Sequence, residues 1–286
     1  MITGELTWQQ FKSLDSIRNL NENQQIQHYY KYLVELNDWI IHQNKGELTL
    51  GEVVITCADG MDVVFLVDYT GSMGSAINAI KAAIASIVST IVTESANNYR
   101  VGLVLFDEYT SGTTSNYSSK TAYTSLPSSQ KYVNTGLNSR FQWITAMEIF
   151  SQNNQSTFTT QLNLLNNVTD FPLGNGQGTP EPADMGVDRI VNYDMVGAFR
   201  NNVSKLIILI TDATPSGNDD ITNATDTAFA NTLITDCNAK GIKILLMKPN
   251  TNSVEPLETL ALGTGGLVSN SFTPSAIITS IENICT

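Results

Sequence analysis

The sequence is poor in histidine and cysteine. Of the 286 residues, two are histidine and three are cysteine. His28 and His42 both lie near the N-terminus, which leaves little material for histidine-based catalysis or a histidine-rich metal site. Three cysteines are too few for a disulfide scaffold, and their spacing is not that of a zinc site.

Positive charge is also scarce. The chain has 15 Lys and Arg against 27 Asp and Glu, and its net charge at pH 7 is −12. Binding to a phosphate backbone requires clustered Lys and Arg, so we expect no nucleic-acid partner. The hydrophobic fraction of 42% is too high for wholesale disorder, and the length suits one large domain with a small appendage.

Long apolar runs are missing as well. The purely aliphatic runs, such as Leu206 to Ile210, are far too short to span a bilayer. The first twenty residues alternate polar and apolar side chains, unlike a signal peptide. We therefore expect no membrane span and no Sec-dependent secretion. Localisation stays open between the cytoplasm and an assembled particle such as a virion.

Residues 1–57 are predicted to form a helical N-terminal segment. Thr7 and Gln10 match a capping box, and two stripes of apolar residues at helical spacing follow. Two short amphipathic helices bury little surface alone. We expect residues 1–46 to dock on the chain's own domain or, as a clip, on a larger assembly. The stripes contain Trp8, Phe11, Leu14 and Ile17, then Ile26, Tyr29 or Tyr30, Leu33, Leu36 or Asn37, and Ile40.

Residues 58–286 alternate strand and helix patterns. The predicted core strands are continuous apolar runs, as strands buried on both faces require. This order predicts an α/β fold with a doubly wound, mostly parallel, Rossmann-like sheet flanked by helices. We expect an exposed insertion or hairpin at 110–140 and two helices between Phe141 and Val168. The four strands are Asp62–Val67, Arg100–Phe106, Leu206–Thr211 and Ile242–Met247.

The sharpest motif follows the first of these strands. It reads Asp-Tyr-Thr-Gly-Ser-Met and begins at Asp68. Asp68, Thr70 and Ser72 stand at i, i+2 and i+4, so a tight turn can point three oxygens at one place. Hard oxygen donors of this kind suit Mg²⁺, Mn²⁺ or Ca²⁺. The carboxyl end of a central strand is also where open parallel sheets bind ligands.

This motif resembles the von Willebrand factor type A (vWA) domain, whose hallmark is a metal-ion-dependent adhesion site. The family pattern is Asp-x-Ser-x-Ser, a Thr from a second loop, and an Asp after a later strand. Asp68 and Ser72 match the pattern, and Thr70 replaces its middle Ser. The resemblance covers about residues 60–285 and implies the fold predicted above.

The resemblance also implies the remaining ligands. In the second loop, Thr179 corresponds to the family's threonine. Glu181 is the alternative, because the Thr-Pro-Glu wording is similar to that of integrin β chains, and the sequence does not choose between them. Asp212 matches the family's second acid, with Ala213 in place of the usual Gly.

A capping role competes with metal binding at each of these positions. Thr70 and Ser72 are favoured helix caps, and Asp212 suits a turn after a strand. Together, however, the two acids would converge in one buried crevice, which is costly unless a cation or protons neutralise them. We therefore expect a divalent cation, Mg²⁺ or else Mn²⁺ or Ca²⁺.

The resemblance implies a binding module rather than an enzyme. In the family, a partner protein's carboxylate fills an open coordination position of the metal. The rim at 107–120 and 174–182 would then select the partner. The alternative function is a structural or decorating component of a large assembly such as a virion, docked through the N-terminal helices.

Two further groups are interpreted more plainly. Asp107 and Glu108 are expected to be solvated loop acids, with a second cation site or a ligand surface as the alternative. Some secreted vWA relatives join their neighbouring termini by a disulfide, and Cys57 and Cys285 could form such a bridge. The sequence shows no secretion signal, so we expect free thiols instead. Cys237 is expected in the core.

Overall fold

The structure is a computed structural model that describes ten stretches of the chain. These are residues 11–14, 17–22, 24–26, 28–29, 57–110, 113–135, 140–176, 179–217, 221–271 and 281. The chain divides into two compact units, Met1–Val54 and Ile55–Thr286.

The first unit is described only in part. Its backbone is helical at residues 11–12, 22, 24–26 and 28–29. Phe11 and Ile17 are buried, and the rings of Phe11 and Tyr29 pack with centroids 5.0 Å apart. Thr7 and Gln10, the predicted capping box, lie outside the described residues. Docking through residues 1–46 stays a prediction.

A seven-stranded sheet organises the second unit. Its strand order is β3-β4-β2-β1-β5-β6-β7. Neighbouring strands run parallel except at β4, which is antiparallel to both β2 and β3. The strands are β1 (Met61–Asp68), β2 (Tyr99–Thr110), β3 (Lys131–Asn134), β4 (Arg140–Glu148), β5 (Ser204–Ile210), β6 (Ile242–Met247) and β7 (Leu267–Ser269).

Helices connect these strands and cover both faces of the sheet. Short 3₁₀ turns span Cys57–Asp59, Gly71–Ser75 and Ser128–Gln130. The described α-helices are α1 (Ile77–Glu94), α2 (Thr121–Thr124), α3 (Gln155–Leu164), α4 (Ala183–Asn192), α5 (Ala224–Lys240) and α6 (Leu257–Gly263).

The core consists of two layers, one on each face of the sheet. All eight residues of β1 are buried, as expected for a central parallel strand. Val63, Phe65 and Val67 pack into the layer beneath α1 and α3, whereas Val64 and Leu66 pack into the layer beneath α4, α5 and α6. The doubly wound α/β prediction is confirmed.

Helix α1 has the length and apolar composition that a membrane-crossing helix needs. In the structure its apolar face packs into the first core layer, with Ile77, Ile80, Ile84, Ile87 and Ile91 buried.

Of the two helices predicted between Phe141 and Val168, the first is a strand in the structure and the second is confirmed. Arg140–Glu148 is strand β4, and only Gln155–Leu164 is helical. Phe141, Trp143 and Met147 face one core layer, while Ile144 and Ala146 face the other. Because both faces carry apolar side chains, the period-two alternation is hidden in the sequence.

The prediction of an exposed insertion or hairpin at 110–140 is right about a hairpin, formed by β3 and β4, and wrong about exposure at its aromatic residues. Tyr117 and Tyr123 are buried and pack with Trp143, at ring-centroid distances of 6.5 Å and 5.8 Å. Strand β3 then pairs with β4 at the edge of the sheet. The polar composition of the segment concealed these aromatic anchors.

The structure describes two of the three cysteines, one in a disulfide and one as a free thiol. Cys57 is disulfide-bonded, so the expectation of a free thiol is wrong for it; Cys285 lies outside the described residues. Cys237 is free and fully buried, as predicted.

Candidate metal centre

The centre of the sheet places Asp68 at a ligand-binding position. Strand β1 lies between β2 and β5 and ends at Asp68. From β1 the chain crosses to β2 on one side and later reaches β5 on the other. The carboxyl ends of the strands at such a switch point border a crevice, where open α/β sheets bind ligands.

Four of the predicted side chains form a continuous chain of oxygen atoms there. Thr70 Oγ1 donates to Asp68 Oδ1 at 2.6 Å and lies 3.0 Å from Ser72 Oγ. Ser72 Oγ donates in turn to Asp212 Oδ1 at 3.3 Å. Asp212, which the vWA resemblance implies as the second acid, is 140 residues from Ser72 in sequence and is brought to the Asp68 loop.

Thr211 holds the other oxygen of Asp68, a role that the sequence did not suggest. Its Oγ1 donates to Asp68 Oδ2 at 2.8 Å and accepts from the backbone N–H of Ala213 at 3.1 Å. Thr211 follows β5 and directly precedes Asp212, so it links the two acidic loops. A polar residue next to the predicted acid at a buried strand end was the available signal.

The four side chains of the candidate centre differ in their exposure to solvent. Asp68 and Thr70 are fully buried, Asp212 is half-buried and Ser72 is exposed. Burial raises the pKa of Asp68 to about 6 despite the hydrogen bonds from Thr70 and Thr211, and the nearby charge of Asp212 acts in the same direction. The centre is therefore closed at Asp68 and open to solvent at Ser72.

The two candidates for the fifth ligand have different environments. Thr179 is exposed. Glu181 is 2% exposed, and its Oε2 atom has no hydrogen-bond partner. Burial, followed by the charges of Asp68, Glu108, Asp107 and Asp212, raises the pKa of Glu181 to about 11. Neither Thr179 nor Glu181 hydrogen-bonds the four-oxygen chain.

The expectation that Asp107 and Glu108 are solvated is wrong. Strand β2 extends through both residues, and both are fully buried. Glu108 pairs with Arg140, 3.3 Å away. Asp107 Oδ2 has no hydrogen-bond partner, and burial raises the pKa of Asp107 well above its ordinary value. Two adjacent acids in a sequence do not indicate a buried strand, so the last part of β2 was not recognised.

The centre contains little positive charge. Within the described ranges, no Lys or Arg pairs with Asp68, Asp107, Glu181 or Asp212. In the same part of the chain, no three His, Cys, Asp or Glu side chains form a metal-binding group. An ion held here would therefore depend on the hydroxyls of Thr70 and Ser72 in addition to carboxylates.

The spacing of the oxygens suits a small, hard cation. In octahedral coordination with Mg–O distances of about 2.0–2.1 Å, adjacent ligand atoms lie about 2.9 Å apart. The three successive distances in the chain are 2.6, 3.0 and 3.3 Å. Two carboxylates and two neutral hydroxyls are the hard donors that Mg²⁺ and Mn²⁺ prefer.

Among the solved structures similar to this chain are two of one mussel protein. No protein-family model and no curated protein sequence matches the chain. Proximal thread matrix protein 1 from the mussel byssus, solved with a zinc-occupied MIDAS motif, is 13% identical with a TM-score of 0.49; the match covers 81% of this chain and 47% of that one. A second structure of that protein is 11% identical with a TM-score of 0.45, covering 79% and 46%.

This chain thus spans about half the length of the mussel protein. The fold described above rests on the strand order and register rather than on this likeness.

Proposed function

We propose that the chain is a non-enzymatic, metal-dependent binding module of the vWA type. The observation that carries the proposal is the chain of oxygens from buried Asp68 through Thr70 and Ser72 to Asp212, with spacings of 2.6–3.3 Å. These four side chains would hold one Mg²⁺ or Mn²⁺ ion. The ion would supply an electrophilic centre at the rim of the sheet.

Glu181, rather than Thr179, is the fifth group in this proposal. Glu181 is 2% exposed, its Oε2 atom has no hydrogen-bond partner, and its pKa of about 11 keeps it a neutral acid at pH 7 in the metal-free protein. A nearby cation would replace that proton and offset the cost of burying the carboxylate. Thr179 is exposed, so its hydroxyl already has access to water.

The partner would reach the ion from the Ser72 side. Ser72 is exposed and Asp212 is half-buried, whereas Asp68 and Thr70 are closed off by the core. A partner oxygen can therefore approach only where Ser72 meets solvent. The vWA resemblance suggests that the incoming group is a carboxylate of a protein ligand.

Calorimetric titration of the purified chain with Mn²⁺ and Mg²⁺ tests this function. We expect one ion per chain in the wild type and no binding in Asp68→Asn, a substitution that keeps the shape of the side chain but removes its charge. Glu258→Gln is the matched control, because Glu258 pairs with Lys248 rather than with the candidate metal centre. This variant should bind Mn²⁺ as the wild type does. Absence of binding in the wild type would refute the proposal.

The same titration distinguishes the two candidates for the fifth ligand. If Glu181 supports the ion, Glu181→Gln weakens Mn²⁺ binding and Thr179→Ala does not. The reverse pattern would assign the role to Thr179. Equal affinities in both variants and the wild type would show that the four-oxygen chain suffices.

A further inference from the structure

A short segment, residues 173–176, lies against the metal loop, which is the turn at residues 68–73 that carries Asp68, Thr70 and Ser72. The backbone N–H of Gly174 donates to the carbonyl of Tyr69 at 3.0 Å. The carbonyl of Asn175 accepts from the N–H of Gly71 at 3.2 Å. Gly71 stands between Thr70 and Ser72, so the 173–176 segment is hydrogen-bonded to the part of the backbone that carries both hydroxyl ligands.

One buried hydroxyl anchors this segment from the other side. Tyr109, on β2, is 2% exposed, and its Oη accepts from the backbone N–H of Asn175 at 3.1 Å and of Asn116 at 2.6 Å. The same hydroxyl lies near Asp107 and acts to lower the pKa of that carboxyl, against the larger effect of burial. Asp107 Oδ1 also accepts from the N–H of Gly176 at 3.4 Å.

The segment has little room to shift. A Cβ atom at Gly174 would lie 2.3 Å from Asp107 Oδ2. A Cβ atom at Gly176, whose φ is +61°, would lie 2.9 Å from the Cβ of Thr70. The backbone of 173–176 therefore fills the gap between β2 and the metal loop, and a displacement at one side is passed to the other.

We propose that Tyr109 is a positioning residue for the metal centre, which it acts on through the 173–176 segment. The inference rests on the proposed function. Tyr109 touches none of the four oxygens directly. Its hydroxyl fixes Asn175, Asn175 fixes Gly71, and Gly71 sets the separation of Thr70 from Ser72.

The expected size of the effect follows from outer-shell partners in metal sites. Loss of a group that orients a ligand typically weakens metal binding by roughly 10- to 100-fold. Replacing Tyr109 by Phe removes one oxygen and leaves the ring, which packs against Trp143 at 6.1 Å, in place. The two N–H groups of Asn116 and Asn175 would then lose their shared acceptor.

Thr264→Val provides a matched control away from the metal centre. Thr264 is buried, and its hydroxyl donates to the carbonyl of Ala261 at 2.8 Å and accepts from the backbone N–H of Ile244, on β6, at 3.0 Å. Like Tyr109→Phe, this variant removes one buried hydroxyl that is bonded to backbone groups, but it does not touch the 173–176 segment. A general loss of stability would affect both variants, whereas a positioning role is specific to Tyr109.

The experiment is Mn²⁺ calorimetry on the full chain, with amide hydrogen exchange on the same samples. We expect Tyr109→Phe to weaken Mn²⁺ binding roughly 10- to 100-fold and to speed exchange of the Gly71 and Asn175 amides, while Thr264→Val changes neither. Equal Mn²⁺ affinity in Tyr109→Phe and the wild type, or equal weakening in both variants, would overturn the inference.

A second variant covers the case in which Tyr109→Phe does not fold. Gly174→Ala leaves the hydroxyl intact but forces the segment away from Asp107. We expect it to weaken Mn²⁺ binding as well, and unchanged affinity would count against the inference. If the wild type itself binds no Mn²⁺, the proposed function fails first, and the inference with it.

Discussion

Strand β1 carries one buried aspartate near its start and another at its end, and the two carboxyl groups have different partners. Asp62 stands near its start and Asp68 at its end, and both are fully buried. Burial alone would raise the pKa of either carboxyl. The difference between them lies in what surrounds each charge.

Asp62 is neutralised by the protein itself. Arg100 Nε and Arg200 Nε each donate to Asp62 Oδ1 at 2.9 Å, and the backbone N–H of Arg200 donates to Oδ2 at 2.8 Å. Burial would raise the pKa of Asp62, but these hydrogen bonds outweigh it and the pKa is lowered. The result is a completed structural ion cluster.

Asp68 has hydroxyl partners but no guanidinium among the described residues. Its hydrogen bonds come from Thr70 and Thr211, and its pKa is raised to about 6. A charge buried without an internal counter-charge is what a cation site requires, whereas a charge already paired with arginine needs no ion. The comparison therefore predicts opposite responses to substitution, pH and metal.

The largest expected effect is on folding. Asp62→Asn should destabilise the chain by about 3–5 kcal/mol, because it leaves Arg100 and Arg200 without their counter-charge. Asp68→Asn, measured in chelator, should lower the unfolding free energy far less than Asp62→Asn does, or even raise it. Urea unfolding of the two variants checks this, and similar losses in both would remove the distinction between the two ends.

The pH dependence should show the same contrast. Asp62 has a lowered pKa, so its contribution is present above the unfolded value of 3.8 and is lost as pH falls through the folded value. Asp68 has a raised pKa, so the protonated form favours folding and stability is lost as pH rises from 3.8 through about 6. That shift corresponds to at most about 3 kcal/mol.

In chelator, the unfolding free energy should therefore decline between pH 3.8 and about pH 6, and this decline should shrink in Asp68→Asn. Asp107, Asp184 and Glu181, whose pKa values are also raised by burial, add losses of the same sign that remain in Asp68→Asn. A stability that keeps rising to pH 8 would contradict this assignment.

Metal addition should stabilise the folded chain only through the Asp68 end of β1. At a free Mn²⁺ concentration 100 times the Kd, binding to the folded state adds about 2.7 kcal/mol to the unfolding free energy. We expect this gain in the wild type and in Arg200→Lys, and none in Asp68→Asn. Thermal unfolding with and without chelator measures it. A gain in Asp68→Asn would place the ion elsewhere.

The smallest expected effect concerns the arginine geometry. Arg200→Lys keeps the positive charge but loses the planar fork, which also donates to Met61 O at 3.0 Å. A cost of about 1–2 kcal/mol in urea unfolding is expected. Mn²⁺ affinity should stay unchanged, because Arg200 lies at the opposite end of β1 from the metal centre. A changed affinity would mean that the two ends are coupled.

Much of the fold and three side chains of the candidate site could be predicted from local patterns, and the vWA resemblance added Asp212. Continuous apolar runs identify β1, β2, β5 and β6, and the i, i+2, i+4 spacing identifies Asp68, Thr70 and Ser72. Strand β4 could not be recognised, since apolar side chains on both faces hide its alternation. The burial of Asp107 and Glu108 was missed for a related reason: charged residues at a strand end are usually solvated.

The sequence by itself determined which residues can donate oxygen, where the central strands lie and in what order strand and helix follow. Only the tertiary structure decided that Asp62 meets two arginines while Asp68 meets hydroxyls, and that Tyr109 reaches the metal loop through Asn175. Such pairings join residues from 38 to 138 positions apart at Asp62 and 66 positions apart at Tyr109. Strand register and loop packing set these contacts, and neither is visible in the spacing of residues along a chain.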